Sequence, residues 1–220
     1  MVADDLVIKI FVSESFAENT YVVHKSGCAD CFIIDPGFEP ELIIDYLKKN
    51  HITPQAILVT HGHMDHVAGN EAIKNEWENC RIYIGKEDAY KLTDPRGNLS
   101  MSFGFPMTSP PADYLLSDGE KFIVAGIEIE ALYLPGHSRG HVIYLIRSET
   151  ELVLFSGDVI FADSIGRYDF PDGNYDALID GIREKILTLP ESTTLYPGHG
   201  PKTTVGRERR YNPFLAGDIC

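Results

Sequence analysis

Four times in this 220-residue chain, a short run of strand-forming residues ends in a tight turn that presents a histidine or an aspartate. Ala56–Thr60 leads into His61-Gly62-His63-Met64-Asp65-His66. Tyr133-Leu134 passes through Pro135-Gly136 into His137, and Leu152–Phe155 passes through Ser156-Gly157 into Asp158. Leu195-Tyr196 passes through Pro197-Gly198 into His199. Glycine and proline permit the sharp turns that aim a side chain back over a strand end. Ligands on the rims of rigid strands are held more accurately than ligands in mid-loop. The fold must therefore bring several strand ends to one rim.

Imidazole nitrogen and carboxylate oxygen are the mixed donor set of zinc and of iron or manganese centres. Seven such groups, His61, His63, Asp65, His66, His137, Asp158 and His199, are too many for one tetrahedral ion. Two divalent ions about 3.5–4 Å apart, sharing a carboxylate and a water, use all of them. Asp158 is the expected bridge, His61, His63 and His137 complete one site, and Asp65, His66 and His199 the other. Zinc is the first expectation, with iron or manganese as alternatives that the same donors accept. A structural zinc site is usually closed and cysteine-rich, and no cysteine belongs to this set.

Six further β-branched or aromatic runs predict strands at Val7–Val12, Thr20–His24, Cys31–Ile34, Arg81–Ile84, Lys121–Val124 and His141–Ile146. The runs Ile127–Leu134 and Thr193–Tyr196 extend two of the ligand-bearing strands. Apolar residues at helical spacing predict helices over Pro40–Lys49, Val67–Trp77 and Tyr175–Leu189, the last with Asn174 as N-cap. So many strands with interleaved helices need layers, and two sheets face to face with helices outside is the natural solution. Residues 1–220 are expected to form one domain. The Pro-, Gly- and Phe-rich segment Thr93–Pro111 is too long for an ordinary connection and is either a surface excursion or a binding loop.

Charge restricts the partners. With 19 Lys and Arg against 33 Asp and Glu, the net charge of −14 argues against nucleic acid and anionic membrane, both of which need a basic footprint. No apolar run reaches the length of a membrane span. The acidic start, Met1-Val2-Ala3-Asp4-Asp5, is unlike a signal peptide. Four cysteines, Cys28, Cys31, Cys80 and Cys220, do not make a disulfide framework. The expectation is a cytoplasmic protein acting on a small molecule.

The stretch Thr60-His61-Gly62-His63-Met64-Asp65-His66-Val67-Ala68-Gly69 resembles the signature of the metallo-β-lactamase superfamily, with later ligands in the same order at His137, Asp158 and His199. Leu134-Pro135-Gly136-His137-Ser138-Arg139-Gly140-His141 is similar to the glyoxalase II version of the third motif. Ser164-Ile165-Gly166-Arg167 and Tyr196-Pro197-Gly198-His199-Gly200-Pro201 resemble small bacterial hydrolases of that type. The resemblance implies an αββα sandwich of two mixed sheets with helices outside, and a dinuclear site at one edge. It implies hydrolysis of a thioester such as S-lactoylglutathione through a metal-bridging hydroxide, with Asp65 and Asp158 as catalytic carboxylates. Arg167 aligns with a substrate-contacting lysine of the larger glyoxalase II enzymes and is the expected substrate-binding residue. Those enzymes carry a C-terminal helical domain that binds glutathione, for which the 21 residues after His199 leave no room. They also have a substrate-contacting tyrosine where Pro201 stands. The alternatives are a lactonase of the same fold and a persulfide dioxygenase-type oxidoreductase with one iron; a β-lactamase suits a cytoplasmic chain poorly.

Lesser features have bland expectations. Cys28-Ala29-Asp30-Cys31 falls between two strands and reads as a hairpin turn. His24 and His51 are expected at the surface, and His141 either behind the metal ligands or as an ordinary strand residue. Arg207, Arg209 and Arg210 are a salt-bridged turn or an anion anchor. Phe103, Phe105 and Met107 either wall a substrate cleft or pack beneath their own loop.

Overall fold

Alternation along the strands decides how the chain layers, because successive strand residues face opposite sides of a sheet. The computed structural model describes residues 6–148 and 151–215. The first sheet contains β1 (Leu6–Val12), β2 (Asn19–Lys25), β3 (Asp30–Ile34), β4 (Thr53–Val59), β5 (Arg81–Gly85) and β6 (Tyr114–Leu116), paired in that order. Strands β1 to β3 pair antiparallel, and β3 to β6 run parallel. Next come β7 (Glu120–Val124), β8 (Ile127–Tyr133), β9 (Val142–Arg147), β10 (Leu152–Gly157), the small hairpin β11 (Ile160–Phe161) and β12 (Ser164–Ile165), then β13 (Thr194–Pro197) and β14 (Thr203–Thr204). The second sheet has the order β14-β13-β10-β9-β8-β7, with only β10 and β13 parallel.

Phe32, Ile34, Ala56 and Leu58 of the first sheet face Ile129, Ala131, Tyr144, Ile146 and Phe155 of the second across the central core. Their odd-register neighbours point outward. Ile33, Ile57, Val59, Ile82 and Ile84 pack beneath helix α1 (Glu41–Asn50) through Ile43 and Leu47, and beneath a second helix through Ile73. On the far side, Ile143, Leu145, Leu154 and Leu195 pack under Leu178, Ile179, Ile182 and Ile186. Three apolar cores between four layers give the αββα sandwich, as expected.

Helix details depart from the sequence expectation. The stretch predicted as one helix over Val67–Trp77 is two, α2 (Met64–Val67) and α3 (Asn70–Glu76), broken at Gly69. A Cβ at Gly69 would sit 2.8 Å from the Gly37 carbonyl, so this close approach admits only glycine. The predicted Tyr175–Leu189 helix is α-helical over Tyr175–Gly181 (α4), with Asn174 Oδ1 capping the Ala177 amide, and widens to a π turn over Ile182–Ile186. An unpredicted helix, α5 (Val205–Tyr211), follows β14 and carries the three arginines. They are bound structurally: Arg207 to Asp163 and Glu208, Arg209 and Arg210 to Glu191.

The Cys28–Cys31 segment is the β2–β3 turn as expected, and Cys28, Cys31 and Cys80 are free thiols; Cys220 lies outside the described residues. His24 is a correction: it is buried on β2, with Nδ1 beside the Lys25 carbonyl. His51 is exposed and closes α1 in the left-handed region at φ 55°. No helix among the described residues is long and apolar enough to cross a membrane.

Candidate metal centre

All seven residues expected as ligands converge at one rim of the sandwich. His61, His63, Asp65 and His66 come from the turn after β4 and from α2. His137 follows β8, Asp158 follows β10, and His199 follows β13. Sharp turns place them. A Cβ at Gly198 would collide with Asp158 Oδ1 and lie 2.7 Å from His66 Cε1, so only glycine fits between those two side chains.

Two donor groups emerge. His61 Nε2, His63 Nδ1 and His137 Nε2 lie 3.0, 3.0 and 3.2 Å from one another. Nitrogens bound to one tetrahedral zinc at about 2.0–2.1 Å stand about 3.3 Å apart, so the triangle matches a shared cation. In the second group, Asp65 Oδ2 lies 3.4 Å from His199 Nε2 and 3.8 Å from His66 Nε2. Asp158 stands between them: Oδ1 is 3.5 Å from His66 Nε2, while Oδ2 is 3.7 Å from His137 Nε2 and 3.5 Å from His199 Nε2. One carboxylate thus faces both groups. Buried His66 Nε2 and Asp158 Oδ1 have no hydrogen-bond partner. Orphaned buried donor atoms of this kind are costly unless something else binds them, and a divalent ion fits.

The outward nitrogens fix which ring atom faces inward. His137 Nδ1–H donates to the Arg167 carbonyl at 2.8 Å, and His199 Nδ1–H to the Ala17 carbonyl at 3.2 Å. His66 Nδ1 donates to Asp35 Oδ2 at 3.0 Å. Thr60 Oγ1 gives its proton to the same Asp35 oxygen at 2.6 Å and so accepts from His61 Nδ1 at 3.1 Å. In each of these four rings Nε2 faces into the site, whereas His63 presents Nδ1. His141 lies behind: its Nε2 accepts the Asp158 amide at 3.1 Å, and its ring stacks on His61.

Electrostatics divide the same way. Burial, reinforced by neighbouring imidazoles, holds His61 and His63 well below the ordinary histidine value, and burial likewise lowers His137. These are neutral rings, the form that ligates. Burial would depress His66 and His199 too, but Asp158 and Asp65 carry both upward. Burial opposes ionisation of Asp158, yet His66, His199 and His137 hold it far below the usual carboxylate range. The second group therefore favours positive charge.

Two supports escaped the sequence reading. Asp35, at the end of β3 before Pro36-Gly37, accepts the Thr60 amide at 2.7 Å besides its bonds to Thr60 Oγ1 and His66. The available signal was another strand end beside a Pro-Gly turn, here with the aspartate before the turn and not after it. The other is a buried ion cluster. Lys91, fully buried on the 3-10 helix Lys86–Thr93, lies 3.3 Å from Asp88 and 2.7 Å from Asp172, and bonds Ser138 Oγ. Asp88 accepts from the Gly62 amide at 2.9 Å, the Gly140 amide at 2.7 Å and Ser138 Oγ at 2.5 Å. It thereby ties the His61–His63 turn to the His137 turn. Nothing in the sequence marks these charges as buried.

Above the donors lies a cleft of about 340 Å³, lined by Phe16, Leu99, Phe103, Phe161, Ile165 and Phe170 among others. The long Thr93–Pro111 segment is its wall: the Met64 amide donates to the Asn98 carbonyl at 2.9 Å, fastening the segment to the ligand helix. Phe103 lines the cleft, Phe105 packs on Phe38 beside it, and Met107 turns into the outer core of the first sheet. Arg167 lines the cleft as well, paired with Asp169 through two 2.9 Å bonds and lying 4.4 Å over the Phe170 ring.

A four-layer sandwich with paired histidine–carboxylate groups at one rim defines a class of metal-dependent hydrolases, and the comparisons agree. The sequence profile of the metallo-beta-lactamase superfamily matches residues 15–199, and the chain belongs to that superfamily. It is 40% identical over 188 residues to the probable metallo-hydrolase YqgX of Bacillus subtilis, covering 85% of this chain and 88% of the relative. It is 37% identical over 210 residues to the hydroxyacylglutathione hydrolase GloC of Haemophilus influenzae, covering 94% and 97%. The crystal structure of the BLEG-1 B3 metallo-beta-lactamase superposes with a TM-score of 0.90 at 38% identity, covering 96% of this chain and all of that one.

Proposed function

We propose that this chain hydrolyses a small-molecule thioester, with S-lactoylglutathione as the reference substrate, at a pair of divalent ions. His61, His63 and His137 hold one ion, Asp65, His66 and His199 the other, and Asp158 spans both. The observation that carries this reading is the position of Asp158, whose carboxylate faces a donor group on either side. Zinc is the proposed metal, and iron or manganese satisfies the same donors. When bound, such a pair acidifies a shared water and polarises a carbonyl oxygen. Asp65, partly open to the cleft, accepts a hydrogen bond from the attacking water and orients it. The apolar walls exclude competing water and strengthen those electrostatic contacts. A departing thiolate, with a pKa near 8.5 for its acid, needs no dedicated proton donor. The likeness to GloC over nearly the full length of both chains supports the thioester. The strongly negative net charge supports a small-molecule partner rather than nucleic acid or anionic membrane, and the proposed setting is the cytoplasm.

Metal content per chain and thiol release from S-lactoylglutathione, measured on one sample, test this. Two ions and rapid release are expected, with both lost in Asp158→Ala. One iron, oxygen consumption on glutathione persulfide and no thioester cleavage would replace the hydrolase with a mononuclear oxidoreductase. The likeness to BLEG-1 favours a second reading, β-lactam hydrolysis. A chromogenic cephalosporin in the same assay separates the two.

A further inference from the structure

Whatever extends from the reacting carbonyl toward solvent must pass the mouth of the cleft, and the mouth has a definite chemistry. Phe16 stacks on Phe38 at 5.1 Å, and Phe103 meets Phe16 edge-on at 5.7 Å. Phe103 nevertheless leaves 57% of its surface open. Phe170 sits against His63 and His137 at 4.9 and 5.3 Å, and Phe161 against His199 at 6.2 Å, so rings flank both donor groups.

The wall turns at Leu99, which holds φ at 71°, a left-handed conformation that strains a leucine. Asn98 maintains it, its Oδ1 accepting the Ser100 amide and its side-chain amide bonding the Met107 carbonyl. The strain holds an apolar side chain in the cleft lining.

Charge is nearly absent at the mouth. Arg167 is the one Lys or Arg side chain among the described residues that lines the cleft. Asp169 occupies Nε and one Nη of its guanidinium, making a neutral pair at the surface. Among the described residues that line the cleft, an incoming carboxylate meets no unpaired Lys or Arg.

We infer that the substrate is a thioester whose outward-running substituent on sulfur is uncharged and apolar, of ring or short-chain size, rather than an anionic peptide thiol. This rests on the thioester reading above and narrows it. The reaction is the same: water oxygen bonds the carbonyl carbon, the carbon–sulfur bond breaks, and the thiolate takes up a proton from solvent.

Two thioesters with the same acyl group test it on the metal-loaded protein: S-lactoylglutathione and the S-lactoyl thioester of benzyl mercaptan. The benzyl compound is expected to show at least tenfold higher kcat/KM. Phe103→Ala should lower that preference about tenfold, since apolar pocket contacts carry discrimination of this order. Asp169→Asn, which frees the Arg167 charge at an exposed position, should lower it by raising turnover of the anionic thioester. Binding to the metal-free protein gives a second readout, using the non-cleavable thioethers benzyl acetonyl sulfide and S-acetonylglutathione. The benzyl compound should bind at least tenfold tighter by calorimetry. Preference for the glutathione compounds in both assays would overturn this inference and leave the thioesterase standing. Release of thiol from neither substrate would overturn the thioesterase reading and this inference with it.

Discussion

Lys91→Met asks whether the buried ion cluster holds the ligand turns in place. Methionine keeps the length and most of the apolar volume of the lysine stem and removes Nζ. Asp88 then retains its bonds from the Gly62 and Gly140 amides and from Ser138, but both Asp88 and Asp172 lose their cation. Removing one partner of a buried pair costs about 3–5 kcal/mol, because the other charge stays desolvated and uncompensated. With a urea m-value of about 2–3 kcal/mol/M, the unfolding midpoint should fall by about 1–2.5 M. The measurement is urea unfolding followed by circular dichroism on metal-free protein, which separates this effect from metal loss. Asp88→Asn in the Lys91→Met background should cost less than the two single changes summed, with coupling of about 0.5–3 kcal/mol. A midpoint within about 0.3 M of the parent, or strict additivity, would refute the clamp.

Asp35→Asn should weaken metal binding about 10–100-fold, the usual effect of losing a carboxylate that orients a ligating histidine, as checked by competition with a chromophoric chelator. Gly198→Ala should abolish metal loading, measured by elemental analysis, because its methyl group collides with Asp158. Asp113 tests acid stability: burial raises its pKa, but bonds from Lys74, the Ile82 amide and Arg81 outweigh this and hold it below the ordinary aspartate value. A lowered folded pKa stabilises above the unfolded value of about 3.9 and is lost as pH falls through the folded one. Asp113→Asn should therefore unfold at lower urea than the parent at pH 6, and the gap should close toward pH 3.

Continuous β-branched and aromatic runs made the sheets legible, because Phe32-Ile33-Ile34 and Val142-Ile143-Tyr144-Leu145-Ile146 are buried on both faces and need layers above and below. Strand β6 was missed because three residues carry too little pattern, and its Tyr114 and Leu115 are exposed at the sheet edge. The ligands were legible because their chemistry and their turns coincide in sequence. Asp88 and Lys91 were not, because burial of a charge is a property of what packs around it. Of the alternatives left open for Phe103 and Met107, the cleft wall holds for Phe103, whereas Met107 packs into the outer core of the first sheet and not beneath its own loop.

Each donor group draws from both halves of the chain. His61, His63, Asp65 and His66 belong to the first sheet's rim, and His137, Asp158 and His199 to the second's. Asn19 of β2 reaches across to the Pro197 and Gly200 carbonyls, so the last ligand is seated against a strand formed near the start. During synthesis, then, the first group waits for Asp158 and the second for His199, and both wait for the sheets to close. A half-made chain offers a metal only weak, partial chelation. Once both sheets have met, an ion at either group becomes a rivet between them, and pulling the halves apart requires giving up the metal first.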